Sequence, residues 1–198
     1  MIPVPRPPRP PNFDRDCLTP GNQWLAAHPN ARANSFPAHW TKFSGELEAG
    51  FGFRCGWWAM EIQSGTVDHY LSKNNAAHRH FVYEWENYRH AAPTLNSSKK
   101  ELDDQVLDPF EVQPGWFKVL LFSMELVRTE AVPENLRTKA DFTIKRLHLD
   151  KGPKLRLLRK RYYEKYKSAK INLAALQEFA PLVAEAVVEW NATGRPLP

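Results

Sequence analysis

Cysteine is scarce in this chain: only Cys17 and Cys55 occur among 198 residues. Two thiols allow at most one bridge, too little to staple a small secreted scaffold, so two reduced thiols in an intracellular, cytoplasmic protein are expected. No apolar run approaches the roughly 20 residues that span a bilayer. No basic stretch followed by an apolar one opens the sequence, so neither a membrane partner nor a secretory leader is expected. Internal repeats and long low-complexity tracts are missing. So are recognition-helix, zinc-finger and homeodomain patterns, which leaves little with which to read base sequence.

Aromatics are plentiful, at 12% of residues with seven Trp, and 42% of the chain is hydrophobic. That is enough core for one domain or two small ones. The net charge is +5 and the pI about 9.2, and the charge is uneven. Residues 151–170 carry nine Lys/Arg against one acid, Glu164. A basic, Tyr-interleaved helix suits a phosphate backbone, with Arg156, Arg159, Lys160 and Arg161 as its contacts. The alternative is a solvated helix face.

Six prolines within residues 1–11 predict an extended or loosely ordered segment, able to pack on a partner or on its own aromatics. Short helices are expected around 22–28 and 37–49, bounded by Pro29 and Pro37. Residues 57–62 read as partly extended. Thr66–Tyr70 reads as a strand, 71–82 as a long loop, Asn87–His90 as a returning strand and 94–102 as a helix. Beyond Leu107-Asp108-Pro109, residues 116–122 and 124–128 read as a strand pair. Helices then follow over about 134–147, 153–168 and 172–191, the last capped by Asn172 and broken at Pro181. The expected division is a Pro-rich extension (1–21), a central core (22–110) and a strand-plus-helix region (111–198). The fold class is α+β.

The stretch from Val67 to Lys99 concentrates the chemistry. It reads Val67-Asp68-His69-Tyr70-Leu71-Ser72-Lys73, then Tyr83-Glu84-Trp85-Glu86-Asn87-Tyr88, then Asn96-Ser97-Ser98-Lys99. A carboxylate and a side-chain amide can hold a hard divalent cation through oxygen. A neighbouring imidazole can take a proton from water near neutral pH. Together they suit hydrolysis of a phosphodiester.

At these residues the sequence resembles the HNH (ββα-metal) nucleases, and within them the bacterial proteins associated with retron and anti-phage defence loci. Members carry an Asp/Glu-His-Tyr/Phe-x-x-Lys segment, a Tyr-x-Trp-x-Asn segment and an Asn-x-x-Lys segment. All three occur here in order, with Asn87 18 residues after His69 and Asn96 nine after Asn87. The resemblance covers about residues 50–110 and is loose beyond the aromatic strand that follows. It implies a ββα-metal core in which His69 is the general base, while Asp68 and Asn96 hold Mg²⁺ or Mn²⁺. It gives Asn87 the task of pinning the loop that orients the base. Lys73, Lys99 and Lys100 become candidate phosphate contacts; His78, His80 and His90 are further candidates for metal or leaving group. Asp68 and His69 alternate along the strand, so a twist or bulge is expected there to bring both to one site.

One departure matters. Where many relatives carry two Cys-x-x-Cys pairs holding zinc, this chain has Cys55-Gly56-Trp57-Trp58 and Ala92-Pro93-Thr94-Leu95. No structural zinc is expected; Trp57, Trp58 and Leu95 should fill the space, with Cys55 a buried small residue. The resemblance implies an endonuclease acting on DNA or RNA, in anti-phage defence, with an SMC- or ABC-type ATPase or a retron as partner. The alternatives are a catalytically decayed scaffold that binds nucleic acid or docks a partner, and a toxin-type nuclease.

Overall fold

The computed structural model describes residues 1–198 and is mixed α+β, with three separate two-stranded antiparallel sheets among its helices. Residues 1–10 lack regular structure, as their prolines dictate, but they are not loose. Met1 is 1% exposed, and the Trp85 indole donates to the Pro7 carbonyl at 2.9 Å. Arg9 pairs with Glu86 at 2.8 Å. Of the alternatives the prolines allow, the segment packs on the chain's own aromatics and is not loose: a segment poor in backbone donors leaves few groups unsatisfied when laid on the body.

Helix also begins earlier than expected. A π-helical turn, Asp14–Leu18, runs into α1 (Thr19–Ala27), so helix crosses the 21/22 boundary. Phe13, Cys17, Gly21 and Leu25 repeat every four residues and are all buried, which gives this helix one apolar stripe. A Cβ at Gly21 would enter the Tyr83 ring, so glycine is required there. A 3₁₀ turn, His39–Phe43, leads into α2 (Ser44–Gly50). Trp40, Phe43 and Leu47 join Phe13, Tyr83, Trp85 and Tyr88 in a compact aromatic cluster.

The central unit follows. β1 (Arg54–Cys55) and β2 (Met60–Glu61) form a small hairpin. β3 (Thr66–His69) pairs antiparallel with β4 (Tyr88–Ala91) in unbroken register, Asp68 opposite Arg89 and His69 opposite Tyr88. The 18 residues between them include a 3₁₀ segment, Ala76–Phe81. Then comes α3 (Pro93–Lys99), with proline in its first turn. The order strand, loop, strand, helix agrees with the sequence reading. β1 docks on the end of β4, where Gly56 N–H donates to the His90 carbonyl at 2.9 Å.

β5 (Phe117–Leu120) and β6 (Glu125–Arg128) make the third hairpin. α4 (Glu134–Arg146), α5 (Pro153–Lys167), α6 (Leu173–Phe179) and α7 (Pro181–Asn191) complete the chain. Asn172 caps α6 by accepting from Ala175 N–H at 2.8 Å, and Pro181 separates α6 from α7. The larger apolar cluster runs from Met1 through β1, β2 and α3 to α7, so the core has no break at 110/111. Both cysteines are buried and free. No helix is long and apolar enough to cross a membrane.

Candidate active site

β3 has a partner on one side only, and its Val67, Asp68 and His69 line a cleft of about 400 Å³. Asp68 and His69 line it from the strand, Lys73 from the loop, Asn96 and Lys100 from α3 and its end, and Trp40 from the N-terminal region. No β4 residue contributes. The expected bulge is absent, since register is regular through His69. The two residues alternate along a regular strand, yet both line the one cleft.

His69 is held in a definite tautomer. Its Nε2 lies 3.0 Å from the Val82 carbonyl oxygen, which can only accept, so Nε2 carries the hydrogen and Nδ1 keeps its lone pair. The ring stands edge-on to Trp40 at 4.6 Å and to Tyr88 at 5.1 Å. Burial, with Lys73 and Lys99 nearby, pushes its pKa down to about 3, against the pull of the Val82 bond. The imidazole is therefore neutral at pH 7.

Asn87 makes that contact possible. Its Oδ1 accepts from Leu71 N–H at 2.8 Å, and its Nδ2 donates to the Leu71 and Phe81 carbonyls, each at 3.0 Å. It closes the loop whose next residue, Val82, meets His69. Asn87 is buried and does not line the cleft.

Asp68 is 2% exposed, and its Oδ2 lies 3.2 Å from Lys99 Nζ. That approach is an ion pair without hydrogen-bond alignment, so Oδ2 has no hydrogen-bond partner. Burial pushes its pKa up to about 6, against the opposing pull of Lys99 and Arg89. Asn96 donates from Nδ2 to Thr66 Oγ1 at 3.2 Å, which fixes its amide and leaves Oδ1 as the free oxygen.

Two expected phosphate contacts are corrected. Lys99 is fully buried, and its ammonium donates to the His69 and Tyr70 carbonyls at 3.0 and 2.9 Å. It stands in the last turn of α3 on the side facing β3. Arg159 is 1% exposed and donates to the Met124 and Leu149 carbonyls at 2.9 and 2.8 Å; burial lowers its pKa to about 10. Arg156 and Lys160 face the β5–β6 turn, while Arg161 lies on the flank of α5 toward α3. Lys73 and Lys100 do reach the cleft, Lys73 with its ammonium 5.0 Å over the Trp40 ring.

None of the three other candidate histidines lines the cleft. His78 Nδ1 sits 3.1 Å from Asp103. His80 packs on Phe81. His90 is buried with Nε2 3.7 Å from Glu48. No group of three or more His, Cys, Asp or Glu side chains gathers to hold a metal.

Sequence reasoning missed Asp103 and Arg89. Asp103 accepts from Ser72 N–H at 2.5 Å and from Asn75 Nδ2 at 2.8 Å, clamping the loop that carries Lys73. Arg89 makes a two-pronged pair with Asp108, Nε to Oδ1 at 2.6 Å, and lies 3.9 Å over Phe110. Neither sits in a local motif. Compared with the models of known protein families and with curated proteins, the chain matches none.

Proposed function

We propose that the chain is a metal-dependent endonuclease of the HNH type, hydrolysing phosphodiester bonds in DNA, with RNA the other substrate the cleft admits. One observation carries the reading: an imidazole with Nε2 tied to the Val82 carbonyl and Nδ1 making no hydrogen bond, lining the same cleft as Asp68 and Asn96. A second supports it. The two places where HNH proteins carry cysteine pairs meet in space, Ala92 N–H donating to Cys55 Sγ at 3.4 Å, with Trp57 and Leu95 buried in the same apolar cluster.

The donor set fits a hard cation. Asp68 offers a carboxylate whose Oδ2 is ion-paired to Lys99 at 3.2 Å and makes no hydrogen bond, and Asn96 an amide oxygen already oriented by Thr66. Two protein oxygens are what Mg²⁺ commonly takes, the remaining positions going to water and phosphate. Bound there, Mg²⁺ or Mn²⁺ would stabilise charge on the phosphate and on the leaving oxygen.

The chain's own groups then have distinct tasks. His69 Nδ1 accepts a proton from water as its oxygen attacks phosphorus. The bond to the 3′ oxygen breaks and that oxygen takes a proton from solvent water, giving a 5′ phosphate and a 3′ hydroxyl. Lys73 and Lys100 offset phosphate charge at the mouth. Asn87 and the Val82 carbonyl hold the imidazole so that little reorganisation is needed. The test is nicking of supercoiled plasmid by purified protein with Mg²⁺, with Mn²⁺ and with EDTA. Nicking with metal and none with EDTA is expected; nicking undiminished by EDTA overturns the metal role.

A further inference from the structure

We infer that a nucleic-acid strand held at the cleft continues across α3 onto one flank of α5, that of Lys154, Arg161 and Lys165, and not onto the flank of Arg156 and Lys160. The inference rests on the nuclease reading and adds the path of the substrate beyond the scissile bond.

α3 is the saddle. Asn96 and Ser97 line the cleft on one side. On the other side Thr94 and Ser98 line a hollow of about 400 Å³ together with Lys151 and Lys154. Thr94 also lines a second hollow of about 500 Å³ with Arg161 and Lys165. Trp58 forms part of the floor of both hollows. The two therefore adjoin, and the cleft lies one helix away.

Helical spacing separates the cations of α5. Lys154, Arg161 and Lys165 are seven and four residues apart, which is one stripe. Arg156 and Lys160, also four apart, form another stripe on a different hollow with Phe122 and Tyr163. That hollow touches the α3 side only through Pro153.

Charge favours an anionic occupant. Lys73, Lys100, Lys151, Lys154, Arg161 and Lys165 form no salt bridge with any carboxylate. Of the acids beside the path, Glu61 is engaged by the Tyr162 hydroxyl at 3.0 Å, and Glu101 lies at the rim of the cleft. A row of unpaired cations with an aromatic floor is how a protein tracks a sugar-phosphate backbone with little regard to sequence. Crossing one helix of about 10 Å diameter takes about three to four nucleotides at ~3.4 Å each.

The experiment is fluorescence anisotropy in EDTA, with a labelled duplex of about 30 base pairs and one of about 6, over a salt series. Two variants are compared with the parent: Arg161→Gln/Lys165→Gln and Arg156→Gln/Lys160→Gln. The first should weaken long-duplex binding about tenfold and reduce the slope of log K against log salt by about two, leaving the short duplex unchanged. The second should leave both within about twofold. Equal losses from the two pairs, or loss only from the second, overturn the path while leaving the nuclease reading intact. A parent that binds no DNA and cuts none overturns both.

Discussion

Replacing Lys99 by methionine leaves Asp68 without its only salt-bridge partner, inside a wall where the carboxylate is 2% exposed. Removing one member of a buried pair costs about 3–5 kcal/mol, because the remaining charge is stranded. The His69 and Tyr70 carbonyls also lose a charged donor. These terms overlap, so the expected loss is about 4 kcal/mol at pH 8, a large share of the ~5–15 kcal/mol that holds a domain together. The sign with pH follows from Asp68. Its carboxyl already titrates near 6, above the ordinary 3.8, and loses Lys99 as a stabilising cation in the variant. Between the unfolded and folded values the native state binds the extra proton, so stability falls as pH rises. The loss should therefore be largest at about pH 8 and about half as large near pH 5, where the carboxyl is neutral. Adding Asp68→Asn to Lys99→Met should recover about 2 kcal/mol at pH 8. Urea unfolding followed by tryptophan fluorescence measures all three proteins. A loss below about 1 kcal/mol, or one equal at both pH values, refutes the reasoning.

Asn87→Ala removes three hydrogen bonds across the loop; about 2–3 kcal/mol of stability should go, and hydrogen exchange should speed up at Leu71 and Val82. As pH falls from 6.5 towards about 3, the unfolded chain binds a proton that folded His69 refuses. Stability should drop by at most ~1.4 kcal/mol per pH unit across that window, and His69→Gln should flatten the profile of urea midpoint against pH. Arg159→Met leaves the Met124 and Leu149 carbonyls without their donor; it should cost about 2–4 kcal/mol in the same melts while leaving DNA affinity per folded molecule unchanged in anisotropy.

What the sequence made legible was local. The β3–loop–β4–α3 order was read from Pro93 and from the resemblance carried by Asp68, His69, Asn87 and Asn96, and every one of those elements formed within a few residues of its expected place. The helical second half was equally readable, since Pro133, Pro153, Asn172 and Pro181 mark starts and breaks that backbone chemistry enforces. The first part of the helix over 14–27 was not expected: Pro20 lies within it, a residue that ordinarily marks a helix boundary, and the Phe13, Cys17, Gly21, Leu25 stripe runs straight through that position. What failed depended on tertiary partners. A lysine at the end of α3 and an arginine in a basic run look like surface charges. Only the packing of α3 on β3, and of α5 beneath Met124 and Leu149, turns Lys99 and Arg159 inward. Asp103 and the Arg89–Asp108 pair were invisible for the same reason: their partners lie 19 to 31 residues away in sequence. The expected bulge at Asp68 came from the alternation of side chains along a strand; the register stays regular, yet Asp68 and His69 both line the one cleft.

The central claim is that His69 is the base of a hydrolytic cleft. The most direct measurement is plasmid cleavage with Mg²⁺ by the parent and by His69→Ala, each shown by circular dichroism to be folded and by anisotropy to bind DNA. The account predicts metal-dependent cleavage by the parent and a fall of at least a hundredfold in the variant at unchanged affinity, the scale expected of a positioned general base (about 10²–10⁴). Cleavage by His69→Ala at the parent's rate, or a parent that binds DNA but cuts under no metal condition, would contradict it.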